Sequence, residues 1–224
     1  NEPKVSCVFE QAGKETVADG DIVLVATGRA PNTDGIGLEN VGIETKKGFI
    51  PVNEYMETSV KGIYAIGDVT GKVLLAHVAS AQGIVAAANA AGQNKKMSYS
   101  VVPSCIYTDP EIASVGLTEK DALEKGYNIE VGRFPSAFNG KSIIMGDSEG
   151  FAKIITDKAT GEILGAHLIA LRATDMIAEV CVAMKLESTI EELSDTIHPH
   201  PTISEMIMEA AHDAEGFCVN KPKS

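Results

Sequence analysis

The sequence predicts an α+β domain in its second half, preceded by incomplete segments of α/β type in its first. Three observations carry this. After residue 100 the strand-like runs come first and the helix-like runs later, the order of segregated α+β folds. Before residue 92, short apolar runs stop at glycine-rich turns, as strands do where they end at a ligand-binding edge. Between the two lies a polar stretch, residues 92–100 (GQNKKMSYS). The expected division is therefore 1–99, 100–217 and a tail, 218–224.

In the first half, residues 5–10 and 16–17 flank a polar turn and read as a hairpin. Residues 21–26 (DIVLVA) form a continuous run rich in Val and Ile, the pattern of a buried strand. The run stops at residues 27–33 (TGRAPNT), a dense set of turn formers. Residues 38–43 and 48–52 read as short extended pieces. Residues 63–66 (IYAI) read as a buried strand that ends at Gly67 and Asp68. Residues 76–91, rich in Ala, Val and Ile, form a helix closed by Gly92.

In the second half, residues 105–108, 113–115 and 129–134 read as strands. Thr118 is an N-cap with Asp121 at the third helical position, and that helix ends at Gly126. Residues 151–156 and 162–170 surround DKATG, a hairpin with Gly at the turn exit. Residues 176–185 are a mostly apolar, buried helix. Ser188 with Glu191, and Thr202 with Glu205, have the spacing of capping boxes before the last two helices.

Charge excludes some functions. Lys and Arg number 19 against 31 Asp and Glu, for a net charge of −12. Nucleic acid and anionic membranes are bound through clustered Lys and Arg, so neither is an expected partner. The apolar runs at 73–79 and 176–184 are well short of a membrane span. The four cysteines, at 7, 105, 181 and 218, are far apart and contain no Cys-x-x-Cys pair. That argues against a zinc module and a disulfide scaffold, and the expected setting is cytoplasmic.

Four places can carry chemistry. Asp68 follows a strand end, where a carboxylate can accept from a sugar-like hydroxyl; a plain surface turn is the competing reading. Leu74, Leu75, Ala76 and His77 open the Ala-rich helix, whose first amides suit an electron-rich carbonyl or phosphate. Gly28 lets a nucleotide lie against the backbone, or serves only a connection. The strongest signal is residues 198–205 (HPHPTISE). Histidine titrates near neutrality and serves as acid or base. A Glu five residues after His200 can bind one ring nitrogen, or can simply complete the cap with Thr202. The His-x-His pair has no third ligand nearby in sequence, so no metal site is expected. His200-Pro201 is a candidate cis bond.

The order of these motifs resembles the pyridine nucleotide–disulfide oxidoreductase family. Thr58 followed by IYAIGD is similar to that family's second flavin motif, and ATGRAPN to its link between nucleotide and flavin domains. LLAH matches its flavin-side helix start. YTDPE followed by Val115 and Gly116 looks like the opening of its dimerisation domain. HPTISE looks like its catalytic His and Glu. Within the family, the Ser204–Glu205 ending is most similar to the dihydrolipoyl dehydrogenase branch.

The resemblance implies FAD held by Asp68, Leu74, Leu75, Ala76 and His77, and NAD touched by Gly28. It implies His200 as acid–base for a thiol pair, oriented by Glu205 and placed across a homodimer. It implies dihydrolipoamide or a lipoylated protein as substrate. The 1–99 segment becomes the end of the nucleotide domain and part of the flavin domain, and 100–217 the dimerisation domain. The glycine-rich phosphate loops and the Cys-x-x-x-x-Cys pair of the family are not in these 224 residues. Gly35-Ile36-Gly37 has Asn40 where a fingerprint needs Gly. Residue 1 is Asn, and the expectation is the C-terminal portion of a longer enzyme, inactive by itself. A non-catalytic dimerisation module and an NADPH-dependent disulfide reductase are the alternatives.

Overall fold

The computed structural model describes residues 5–222, so the first four residues of the 1–99 segment and the last two of the tail lie outside the described residues. The chain divides into two compact units, Asn1–Met97 and Ser98–Ser224.

The first unit opens with an antiparallel hairpin, β1 (Val5–Gln11) and β2 (Lys14–Gly20), in register from Val5↔Gly20 to Gln11↔Lys14. Its two turn residues, Ala12 and Gly13, both have positive φ (52° and 77°). This backbone matches the right-handed twist of the flanking strands. The strand expected over 21–26 does not form. The run has no regular secondary structure and pairs with no neighbour among the described residues, and Ile22 and Leu24 are 87% and 86% exposed. An apolar Val/Ile run becomes a strand only when a partner strand takes its backbone groups. Residues 38–43 also depart from expectation. They form a 3-10 turn, Leu38–Val41, between Gly37 and Gly42, both left-handed.

Two small cores follow. Ile43, Ile50 and Ala65 are buried with Leu38, Val52 and Ile63 against them. Met56, Val85 and Ala86 form the other with Tyr64. Residues 63–66 pair with 56–58 only through a bridge, Glu57↔Tyr64, and the bonds Thr58 N–H to Ile63 O and Ala65 N–H to Met56 O. They make an extended segment rather than a regular strand. The chain then turns through a 3-10 helix, Gly67–Thr70, into α1 (Ala76–Ala90).

The second unit is a five-stranded antiparallel sheet, order β3-β4-β7-β6-β5. Its strands are β3 (Ser104–Ile106), β4 (Glu111–Gly116), β5 (Ile129–Pro135), β6 (Phe151–Asp157) and β7 (Ile163–Ala170). Alternation sorts the side chains: Ala152, Ile154, Ala166 and Leu168 point into the main core, and Ile155 and Leu164 into a smaller one. A register shift breaks this alternation, so that Leu164 joins the smaller core while Ala166, two residues on, joins the main one. Ile155 pairs with Gly165 and Thr156 with Ile163, leaving Leu164 as the extra residue of a bulge.

Helices α4 (Ala173–Lys185), α5 (Ile190–Asp195) and α6 (Glu205–Ala214) cover the main core. Helix α2 (Glu119–Glu124), capped by Thr118 and Asp121 in a full capping box, covers the smaller one. A short helix that the sequence reading did not place, α3 (Gly140–Met145), is capped by Asn139. Gly132 lets α6 lie close on β5: a Cβ there would sit 1.9 Å from the Ala210 carbonyl oxygen.

One cap is displaced by a residue. The box before α5 is Thr189 with Glu192, not Ser188 with Glu191. The Ser188 amide is still bonded to the Ala183 carbonyl, closing α4, so the next residue becomes the cap.

Candidate functional site

The loop between α5 and α6 carries the strongest arrangement. His200 Nδ1 lies 2.8 Å from Glu205 Oε1. The other carboxylate oxygen of Glu205 accepts the Thr202 amide at 2.8 Å. The Thr202 hydroxyl donates instead to the Pro199 carbonyl at 2.7 Å. The expected capping box does not form: the N-cap of α6 is Ser204, without a side-chain cap bond, and Glu205 is the first helical residue, which accepts from the Thr202 amide and faces the histidine at once. The His200–Pro201 bond is cis, as is Asp109–Pro110.

The His200 side chain is 77% exposed and that of Glu205 only 18%. A carboxylate is an acceptor, so Nδ1 is the protonated nitrogen of a neutral ring. In that tautomer Nε2 carries the lone pair, on a largely exposed side chain. A histidine with one nitrogen held by a carboxylate can take and return a proton at the other.

The other histidine of the motif has a partner that sequence spacing does not reveal. His198 Nε2 lies 2.6 Å from Glu179 Oε1 on α4, and Nδ1 lies 2.8 Å from the Thr196 carbonyl oxygen. Its side chain is 4% exposed. The Glu179 hydrogen bond, reinforced by the Thr196 carbonyl, holds its pKa above the ordinary 6.5 against the opposing effect of burial. A cavity of about 460 Å³ adjoins this loop, lined in part by Lys141 of α3, Arg172 at the N-cap of α4, Glu179 of α4, and Thr202 and Ser204.

The first unit brings two expected motifs together. Arg29, beside Gly28, donates to Asp68 Oδ2 at 3.2 Å. Gly28 has φ 119°, a conformation that residues with a side chain rarely adopt. Asp68 sits in the 3-10 turn, and Gly67 N–H donates to the fully buried Gln82 Oε1 of α1 at 2.6 Å. Gln82 thereby fixes the Asp68 turn against α1, a positioning role that the sequence reading did not assign.

Leu75 is the N-cap of α1 with no side-chain cap. Leu74, Ala76 and His77 are exposed, and Leu75 is half-buried. The first turn of α1 thus starts from an N-cap that makes no side-chain cap bond, close in sequence to the Asp68 carboxylate. This donor-plus-acceptor set fits a ligand that carries both an electron-rich carbonyl and hydroxyl groups. His200 and Glu205 belong to the other unit.

The thiols are free. Burial pushes Cys181 up to about 11. Burial, then a hydrogen bond to Glu209 at 3.0 Å, pushes Cys218 up to about 12. Cys218 is half-buried. Among the described residues, no three His, Cys, Asp or Glu side chains group to hold a metal ion. No helix among them is long and apolar enough to cross a membrane.

Comparison with known proteins follows this division. Residues 102–211 match the model described as "Pyridine nucleotide-disulphide oxidoreductase, dimerisation domain", and residues 1–83 the model "Pyridine nucleotide-disulphide oxidoreductase". A dihydrolipoyl dehydrogenase of Bacillus subtilis is 46% identical over 217 residues, which is 96% of this chain and 46% of that protein. One from Thermus scotoductus is 47% identical over 202 residues, covering 90% and 44%. The chain thus spans a little under half the length of these relatives.

Among solved structures, LpdA from Mycobacterium tuberculosis aligns with TM-score 0.83 and 30% identity, over 93% of this chain and 48% of that one. The HOCl-induced flavoprotein disulfide reductase RclA from Escherichia coli aligns with TM-score 0.81 and 29% identity, over 89% and 46%.

Proposed function

We propose, because the chain belongs to the pyridine nucleotide-disulphide oxidoreductase family, that it supplies the acid–base pair and the dimer interface of a dihydrolipoyl dehydrogenase. The reaction is oxidation of dihydrolipoamide, free or carried on a lipoylated protein, with NAD as final acceptor. The single observation that carries this reading is the 2.8 Å bond between His200 Nδ1 and Glu205 Oε1. The lipoyl substrate is supported over other disulfide substrates by identity. It is 46–47% to the two dihydrolipoyl dehydrogenases above, against 29% to RclA.

His200 Nε2 takes the proton of a dihydrolipoamide thiol, so the sulfur is freed as thiolate, the nucleophilic form. Glu205 accepts from Nδ1 throughout and offsets the charge of the imidazolium that results. Release of this proton from Nε2 to solvent, the one net proton of dithiol oxidation by NAD, resets the ring. A bound FAD supplies two-electron transfer between a dithiol and NAD. Asp68 would accept from its hydroxyls, and the first turn of α1, residues 74–77, would present amides to its ring carbonyls. Gly28 would lie against NAD. The working form is a homodimer in the cytoplasm, with His200 acting on the partner's thiol pair.

A chimera tests this. The chain is joined to the N-terminal half of the Bacillus subtilis relative. The expected product is a yellow dimer that forms NADH in the presence of dihydrolipoamide. A yellow, dimeric chimera without that activity would sink the reading. A dimer that stays colourless would favour the non-catalytic module.

A further inference from the structure

We infer that His198 and Glu179 form a second histidine–carboxylate pair, buried and not itself catalytic, in which His198 is a fixed imidazolium that holds the His200 turn against α4. The argument is geometric. Both ring nitrogens of His198 face oxygens that can only accept: the Thr196 carbonyl at 2.8 Å and Glu179 Oε1 at 2.6 Å. A neutral imidazole has one N–H and satisfies one such acceptor; a cation satisfies both. With 4% of the side chain exposed, water cannot easily replace a lost bond, so the charged form is the one the site is built for.

Glu179 from α4 acts on the ring first, and Glu205 from α6 also favours its charged form; Lys141, Arg172 and Asp175 line the cavity that Glu179 also lines. The placement gives the pair its use. His198 precedes His200 by two residues with Pro199 between them. Thr196 and Glu179 fix the start of this turn, while Glu205 holds its end through Thr202. His200 is therefore carried on a turn clamped at both ends, and its own side chain is left exposed.

The sign of the pH dependence follows. A raised value in the folded protein means that the clamp is fully present below the ordinary 6.5. It is lost as the pH rises through the raised value. Glu179 is a positioning residue for His200. The importance of the clamp rests on the reading of His200 as acid–base, but the clamp itself is read without turnover.

The test is nitrogen-15 NMR of the histidine rings, with amide hydrogen exchange, on the whole chain. Both His198 nitrogens are expected to carry protons at pH 6. Glu179→Gln is expected to raise the His198 acid dissociation constant by roughly tenfold or more, as loss of a close opposite charge does. The same variant should lower the protection factor of the Thr202 amide several-fold, while the β6 and β7 amides keep theirs. In the unmodified chain, Thr202 protection should fall as the pH passes the His198 midpoint. One unprotonated His198 nitrogen at pH 6 would overturn the proposal. So would Thr202 protection that is indifferent to both pH and Glu179→Gln. Either failure leaves the role of His200 to the chimera.

Discussion

Glu205 accepts two hydrogen bonds from one turn, His200 Nδ1 at 2.8 Å and the Thr202 amide at 2.8 Å. It also stands in the first turn of α6, where a negative charge is favoured by the helix dipole. Removing it unpairs a half-buried amide as well as the histidine. Glu205→Ala should therefore destabilise the chain by about 1–3 kcal/mol in urea denaturation. Glu205→Gln, which keeps an acceptor oxygen, should cost less. Equal stability of Glu205→Ala and the unmodified chain would show that the turn does not depend on this residue. At this scale the sequence reveals partners that are near in the chain. His200 and Glu205 are five apart and joined by a rigid Pro–Thr turn, so they were legible. Glu179 is nineteen residues from His198 on another helix. No local spacing brings such a pair to notice. Gln82 was equally hidden, because its bond to Gly67 spans fifteen residues.

The elements of the second unit were read well because the sheet alternates and the helices carry caps. The local signals and the tertiary packing agree there. The Asp157–Gly161 turn, the box of Thr118 with Asp121 and the strand β5 follow from residue pattern alone. The errors have local causes. Residues 21–26 have the composition of a strand but no partner among the described residues. Residues 38–43 look extended, but two left-handed glycines close them into a turn. The α3 helix is a run of 6 residues behind an Asn cap, too short to show a helical period. The displaced cap gives a clean test. Thr189 Oγ1 donates to Glu192 Oε2 at 2.6 Å, and the Thr189 amide donates to it at 2.7 Å. Thr189→Ala should cost about 1 kcal/mol in chemical denaturation. Ser188→Ala should fall within about 0.5 kcal/mol of the unmodified chain. The reverse order would return the cap to Ser188.

The whole molecule was legible through order rather than through any one motif. Each of the short signatures is weak by itself, yet five of them run in family sequence along the chain. The two units also differ in kind. The second has one large core beneath α4, α5 and α6, whereas the first has two small cores and an exposed apolar run. The proposed cofactor residues fall in the first unit and the proposed acid–base pair in the second, so the proposed activity draws on both. The net charge of −12 sets the chain apart from nucleic-acid binders, and its chemistry is sought in local sites rather than in a charged face. The proposal that His200 is the acid–base group of a dithiol oxidation is tested by the turnover of a His200→Gln chimera, compared at equal flavin content and dimer fraction with the unmodified chimera. The expected result is a fall of roughly two to four orders of magnitude. Turnover close to that of the unmodified chimera would contradict it.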